Sequence, residues 1–303
     1  MDLEIQGVKI DYHPEKPDLV NEENSQLAKG IILNNTNNDS PLKLLIENSV
    51  VQGMQWDGVC TNGLVEIVVD HSKIIQDRTY KSQRGVGVAS TFNNPIGKVS
   101  INKSTIDYCK GAGIWVNEET GVLGEKPNMQ ISDTIINNYG WAINLRGNQK
   151  TLINNLLISP NYEGASQQDL TYRPLEFLWK GDKFDLSFQN IDFKLNSTMG
   201  DKVILMQSQN DDQSQKFIGM TPTDFFKKHF GSWGDLSAKV KYPSENEIEV
   251  KIIKEDFFKS LSKLDNLGKP INPSTMQLFF DMKTKQFAVQ FLALTDWTDP
   301  IFL

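Results

Sequence analysis

One short pattern recurs along most of this 303-residue chain. Residues 44–51, 67–74, 99–106, 129–136, 151–158 and 186–193 each alternate apolar residues, break at a polar pair, and resume with apolar residues. A weaker copy stands at 8–12. The copies lie about 22 to 36 residues apart, a period that marks solenoids and other stacked repeats. Each is followed by a second short apolar segment, usually opened by a small residue: 30–33, 58–61, 85–88, 113–116, 142–145, 175–178 and 203–206. At a period of two, successive side chains point to opposite faces. A strand this short cannot bury its inward face alone, but stacking the repeats buries it against the copies above and below.

The polar pairs include Glu47-Asn48, Asn102-Lys103, Ser132-Asp133, Asn154-Asn155 and Gln189-Asn190. They fall where the chain must bend between two strands, and Asn and Asp tolerate the left-handed conformation of a tight bend. Stacked in register, their side chains are expected to hydrogen-bond along the column. This succession of polar pair, apolar run, short loop and Gly-Ile or Gly-Val strand resembles the right-handed parallel β-helix of the pectate-lyase-like superfold, over about residues 7–210. The resemblance implies a mainly β fold of about seven coils in residues 1–216, and the residues that follow read as an α+β module at 217–303. A β-sandwich of short strands is the alternative, but a sandwich has no reason to repeat the polar pair.

The C-terminal third changes character. Thr223 reads as an N-cap before Phe225, Phe226, Phe230 and Trp233. Residues 247–253 alternate with Ile248, Val250 and Ile252 on one face. Residues 255–264 read as a helix with Phe257, Phe258, Leu261 and Leu264 on one side and Gly268 as its stop. Residues 276–282 and 286–292 read as a hairpin across Lys283-Thr284-Lys285. This module caps the last coil, stands as a separate domain, or mediates assembly. At the other end no amphipathic helix precedes Val8. An open solenoid end exposes core and unpaired strand edges. A partner is therefore expected to cover it, as in a homotrimer or larger assembly, or the chain is a piece of something longer.

A formal net charge of −7 and a pI near 5.1 argue against nucleic acid as a partner, which needs clustered Lys and Arg. They leave room for acidic polysaccharides on a local basic patch. No apolar run approaches the roughly 18 residues of a membrane span, and Met1-Asp2-Leu3-Glu4 lacks the features of a signal peptide. By fold resemblance alone, the expected setting is extracellular, cell-surface or virion. Cys60 and Cys109 are expected to be unpaired.

Outward positions of the second strands should align as one face carrying Asn34, Asn62, Thr91, Trp115, Asn117, Asn144, Arg146 and Glu176. Trp56, Asp57, Arg84, Trp141 and Arg173 flank it at the entry bends. Insertions at 77–84, 118–127 and 162–173 would wall a groove beside it. Flat aromatic rings beside amide and charged groups suit a sugar chain, so Trp115, Asn117, Glu118, Trp141 and Asn144 are expected to bind a polysaccharide or other glycan. The resemblance implies two catalytic routes, a lyase with a basic residue as base and a hydrolase with paired carboxylates. The catalytic candidates are Asp57, Arg84, Arg146 and Glu176, with Lys110, Glu118 and Glu119 behind them. None sits in a family signature: the clustered aspartates and Gly-His-Gly of polygalacturonase-like hydrolases and the Asp-Pro-His-Glu of alginate epimerases are missing. His71 lies in a bend column and reads as structural. No His/Cys spacing suggests a transition metal, and no cofactor is expected. A Ca²⁺ site is possible, with no dense acidic cluster behind it. Two functions stand: a carbohydrate-active protein that binds a polysaccharide, with cleavage by a lyase or hydrolase route open to it, or a non-catalytic structural or receptor-binding component such as a phage tail or surface adhesin.

Overall fold

A computed structural model describes residues 2–11, 29–36, 39–76, 84–90, 95–109, 111–118, 128–137, 140–147, 150–159, 174–179, 185–194, 202–210, 221, 223–224, 227, 235–241, 247–265, 272–293 and 296–303. The protein is mainly β, with a curled, largely parallel sheet compatible with a solenoid. Its described strands form one sheet of 13 strands and one of 11.

The first sheet holds two adjoining parallel ladders. One stacks Asp2–Gln6, Leu42–Glu47, Val65–Asp70 and Val99–Asn102. The other stacks Lys9–Asp11, Val50–Met54, Lys73–Gln76 and Thr105–Asp107. From Met129 onward, single strands run through both ladders: Met129–Asn137, Lys150–Ser159 and Asp185–Lys194. The second sheet is the third ladder. It stacks Ile31–Asn35, Asp57–Gly63, Arg84–Ala89, Ala112–Glu118, Trp141–Gly147, Leu175–Trp179 and Lys202–Asn210.

Register turns the period-two pattern into continuous rows. Ile46, Val69, Ile101, Ile131, Ile153 and Phe188 oppose one another across the first ladder, all buried. Val51, Ile74, Ile106, Ile136, Ile158 and Phe193 do the same in the second. Val59, Val86, Ile114, Ile143, Leu175 and Met206 do so in the third. Each such side chain gains about 1.5–3 kcal/mol from burial. No strand could collect that gain without its neighbours.

The bend between the first two ladders is the polar pair. Its second residue has positive φ at Asn48, His71, Lys103, Asp133, Asn155 and Asn190, and Gly7 takes that position in the first copy. The side chains link the column as expected. Asn102 Nδ2 donates to Asp70 Oδ1 (2.7 Å), Ser132 Oγ to Asn102 Oδ1 (2.8 Å), and Asn155 Nδ2 to Asp133 Oδ1 (3.0 Å). Behind the bend lies a buried hydroxyl column. The Ser49 and Ser72 N–H groups donate to Ser72 Oγ and Ser104 Oγ at 3.1 and 3.2 Å.

The first copy is phased differently from the sequence reading. Residues 8–12 align with the template as a first strand, yet Lys9–Asp11 pairs with the second ladder, and Tyr12 lies outside the described residues. The first-ladder strand is Asp2–Gln6, in register with Lys43 to Glu47. Leu3 occupies the inward row opposite Leu44 but is 39% exposed where Leu44 is 1% exposed.

The C-terminal strands continue both sheets. Leu236–Lys241 adds in parallel to Asp185–Lys194 and turns back antiparallel into Glu247–Ile252. Asn272–Asp281 adds antiparallel to Lys202–Asn210 and is followed by Gln286–Ala293, the expected hairpin. The helix is Lys254–Asp265, with Phe257 and Leu261 buried. Antiparallel strands close the parallel stacking here. The boundary expected at 216/217 and the aromatic face of Phe225, Phe226, Phe230 and Trp233 lie outside the described residues.

Two inward rows contain a misfit. Thr61, between Leu33 and Val88, and Thr151, between Met129 and Leu186, are buried with no hydrogen-bond partner for Oγ1. Replacing a buried unsatisfied hydroxyl by a methyl of the same shape removes its desolvation cost. Thr61→Val and Thr151→Val should each stabilise the fold by about 1 kcal/mol, read as a higher urea midpoint at unchanged slope.

Candidate functional site

The outer side of the third ladder carries two rows, two residues apart. One runs Ile32, Cys60, Gly87, Trp115, Asn144, Glu176. The other runs Asn34, Asn62, Ala89, Asn117, Arg146, Leu178. An entry row places Asp57 beside Arg84, then Ala112, then Trp141. Asp57 and Arg84 share the alternation of the inward Val59 and Val86, yet their side chains reach the outer rows, with Arg84 Nε and Asp57 Oδ1 3.4 and 3.7 Å from where a Cβ on Gly87 would stand. One candidate lies on the inner side. Glu118 follows Asn117 and alternates to the other side, where it is fully buried and accepts the Ile96 N–H at 2.6 Å. Its expected role in binding on the outer face does not fit that position. Thr91, Lys110, Glu119, Arg173 and the insertions at 77–83, 119–127 and 162–173 lie outside the described residues.

Asp57 and Arg84 form a bidentate pair: Nε donates to Oδ1 at 2.6 Å and Nη2 to Oδ2 at 2.8 Å. Asp57 is fully buried and the Arg84 side chain is 22% exposed. Desolvating a carboxylate costs several kcal/mol, and the fork geometry of the guanidinium offsets it. The guanidinium carbon then lies 4.4 Å from the centre of the Trp115 ring, a cation–π contact. Gly87 stands opposite Trp115. A Cβ there would stand 3.4 Å from Arg84 Nε and 3.6 Å from Cζ. The Arg84 N–H donates to the Trp56 carbonyl at 2.9 Å, which fixes the start of the strand.

A second cluster lies two strands along. Asn144 Nδ2 donates to Glu176 Oε2 at 2.7 Å, and Arg146 Nε donates to Asn144 Oδ1 at 3.3 Å. Asn144 and Glu176 were expected to be open to a ligand, yet they are only 1% and 4% exposed. Trp115, Asn117, Trp141 and Arg146 are half-buried.

The sequence reading missed the continuation of the first row. Glu176 is followed by Gln207, Gln277 and Gln290. Gln277 Nε2 donates to Gln207 Oε1 at 3.1 Å, and Lys202 Nζ donates to Gln277 Oε1 at 3.4 Å and to Gln290 Oε1. Lys202 also lies 3.9 Å from the Phe279 ring centre. Burial holds its ammonium below the usual lysine range, against the pull of Asp281. The only signal in the sequence was the parity of Gln207 and Gln277 within their strands.

Both cysteines are free and buried. Burial, then the Asp57 carboxylate, pushes the Cys60 thiol up to about 11, while Arg84 and Lys29 pull the other way. Burial also raises Cys109. Among the described residues no group of three or more His, Cys, Asp or Glu side chains could hold a metal ion, and no helix is long and apolar enough to cross a membrane. No family model, no curated protein and no solved structure matches the chain.

Arg84→Ala leaves Asp57 buried and uncompensated and should cost roughly 3–5 kcal/mol. Arg84→Leu combined with Asp57→Asn should cost clearly less than Arg84→Ala, as read by urea melts. Both thiols should resist iodoacetamide at pH 8 in the native protein and react only after unfolding, as followed by mass spectrometry. Rapid native labelling of Cys60 would contradict the burial described above.

Proposed function

We propose that the chain is a right-handed parallel β-helix of about seven coils, its 217–303 module capping the last coil, and that the outer side of the third ladder binds a glycan without cleaving it. Three in-register parallel ladders and the recurrent bend support the fold reading. The binding reading is carried by one observation. Half-buried Trp115 packs on Arg84, with Asn117 on its own strand and Arg146 opposite Asn117 on the next, and half-buried Trp141 begins that next strand, while the carboxylates Asp57 and Glu176 are 0% and 4% exposed and hydrogen-bonded.

Distance favours binding over hydrolysis. A glycosidase sets its two carboxyl groups about 5–10 Å apart. Asp57 and Glu176 stand on strands separated by four ladder spacings, or about 19 Å at the roughly 4.8 Å strand spacing. Glu118, between them along the ladder, alternates to the other side and is buried there. Aromatic stacking on a sugar face requires none of these groups to titrate.

A panel of immobilised oligosaccharides would find the ligand. Trp115→Ala should lower affinity for it roughly tenfold, the loss of about one stacking contact, with unchanged circular dichroism. No unsaturated product and no new reducing end should appear on prolonged incubation. Product formation by the native chain that Glu176→Gln abolishes would replace the binding reading with an enzymatic one.

A further inference from the structure

We propose that the ligand of this face is an uncharged glycan, a chain of neutral sugar rings, and not a polyuronate or sulfated chain. The inference rests on the glycan reading above and narrows it. Arg84, which packs on Trp115, is already matched by a carboxylate, and Arg146, on the next strand, already donates into a chain that ends on one. Arg84 gives two hydrogen bonds to Asp57. Arg146 is tied through Asn144 to Glu176. The four groups sum to zero formal charge around Trp115.

The next described cations on this side are Lys29, just before the Ile31–Asn35 strand, and Lys202 on the Lys202–Asn210 strand, each three ladder spacings from the strand of Trp115. That is about 14 Å, beyond the roughly 8 Å screening length at physiological salt. An anionic sugar would lose hydration on docking and meet one guanidinium already paired with a carboxylate and a second already engaged with Asn144. The chain's net charge of −7 adds a repulsive background. A neutral ring needs only an apolar face and hydrogen-bonding neighbours. Arg84 already covers part of the indole of Trp115, so a ring would stack on what remains, with Asn117 one row away.

Isothermal titration with neutral hexasaccharides and their C6-oxidised uronate counterparts, at 20 and 500 mM NaCl, tests this. The expected result is binding of a neutral member with affinity unchanged between the two salts, and at least tenfold weaker binding of its uronate counterpart. Asp57→Asn, which frees the charge of Arg84, should narrow that preference at least threefold at low salt. Glu176→Gln, which keeps an acceptor for Asn144, should do the same through Arg146 if the first variant fails to fold. Tighter, salt-sensitive binding of the uronate form by the native chain overturns the inference and leaves the glycan reading standing. Binding of neither kind overturns both.

Discussion

The bend between the first and second ladders turns on a single residue, with φ between 44° and 61° in every copy from Gly7 to Asn190. A left-handed residue with a side chain costs roughly 1–2 kcal/mol. Glycine avoids that cost, and Asn or Asp reduces it through local hydrogen bonds. His71 and Lys103 bear more of it. The bend persists because the stack returns more than it takes. The N–H of Asn48, His71 and Lys103 each donates to a carbonyl on the next copy, at 3.1 to 3.2 Å. In four copies the residue after the bend is a buried hydroxyl residue, Ser49, Ser72, Ser104 or Thr134. With phase set there, the inward rows of both adjoining ladders follow. A slip of one residue would turn every isoleucine outward.

The outer row of the third ladder shows what parallel register does to polar groups. An amide carries both donors and acceptors, so a row of Asn and Gln can satisfy itself along the ladder. A carboxylate only accepts. Arg146, Asn144 and Glu176 therefore form a directed chain in which each donor points toward the carboxylate. Gln277 to Gln207 begins a second chain fed by Lys202. These groups can be buried on the outer side of a sheet because their partners come from the strand next door, without reliance on solvent.

The repeats were legible because two independent signals coincide in them, period-two apolarity and a residue tolerant of positive φ. Where one signal fails, the reading slips. Asp2–Gln6 has charged or amide groups at alternate positions and only Leu3 and Ile5 to mark it, so the pattern points to Lys9–Asp11 as the first arm when it is the second. The residue types of the site were legible too, but not their partners. Asp57 and Arg84 are 27 positions apart, and their meeting depends on the register across the Gly58 and Gly85 strands. Simple adjacency put Glu118 with Asn117, though alternation sends the two to opposite sides. The Gln277 row was out of reach, because an antiparallel return after a long excursion leaves no period to follow.

The same pairing bears on the lyase route. A residue that removes a proton from a sugar must first be able to shed its own. Arg84 instead commits two of its N–H groups to a fully buried carboxylate. Arg146 donates into a chain that ends on Glu176. What would make a poor base makes a good platform. A guanidinium held on two sides by Asp57 and Trp115 has little rotamer freedom left to lose when a ligand arrives, and rigidity of that kind lowers the entropic cost of binding.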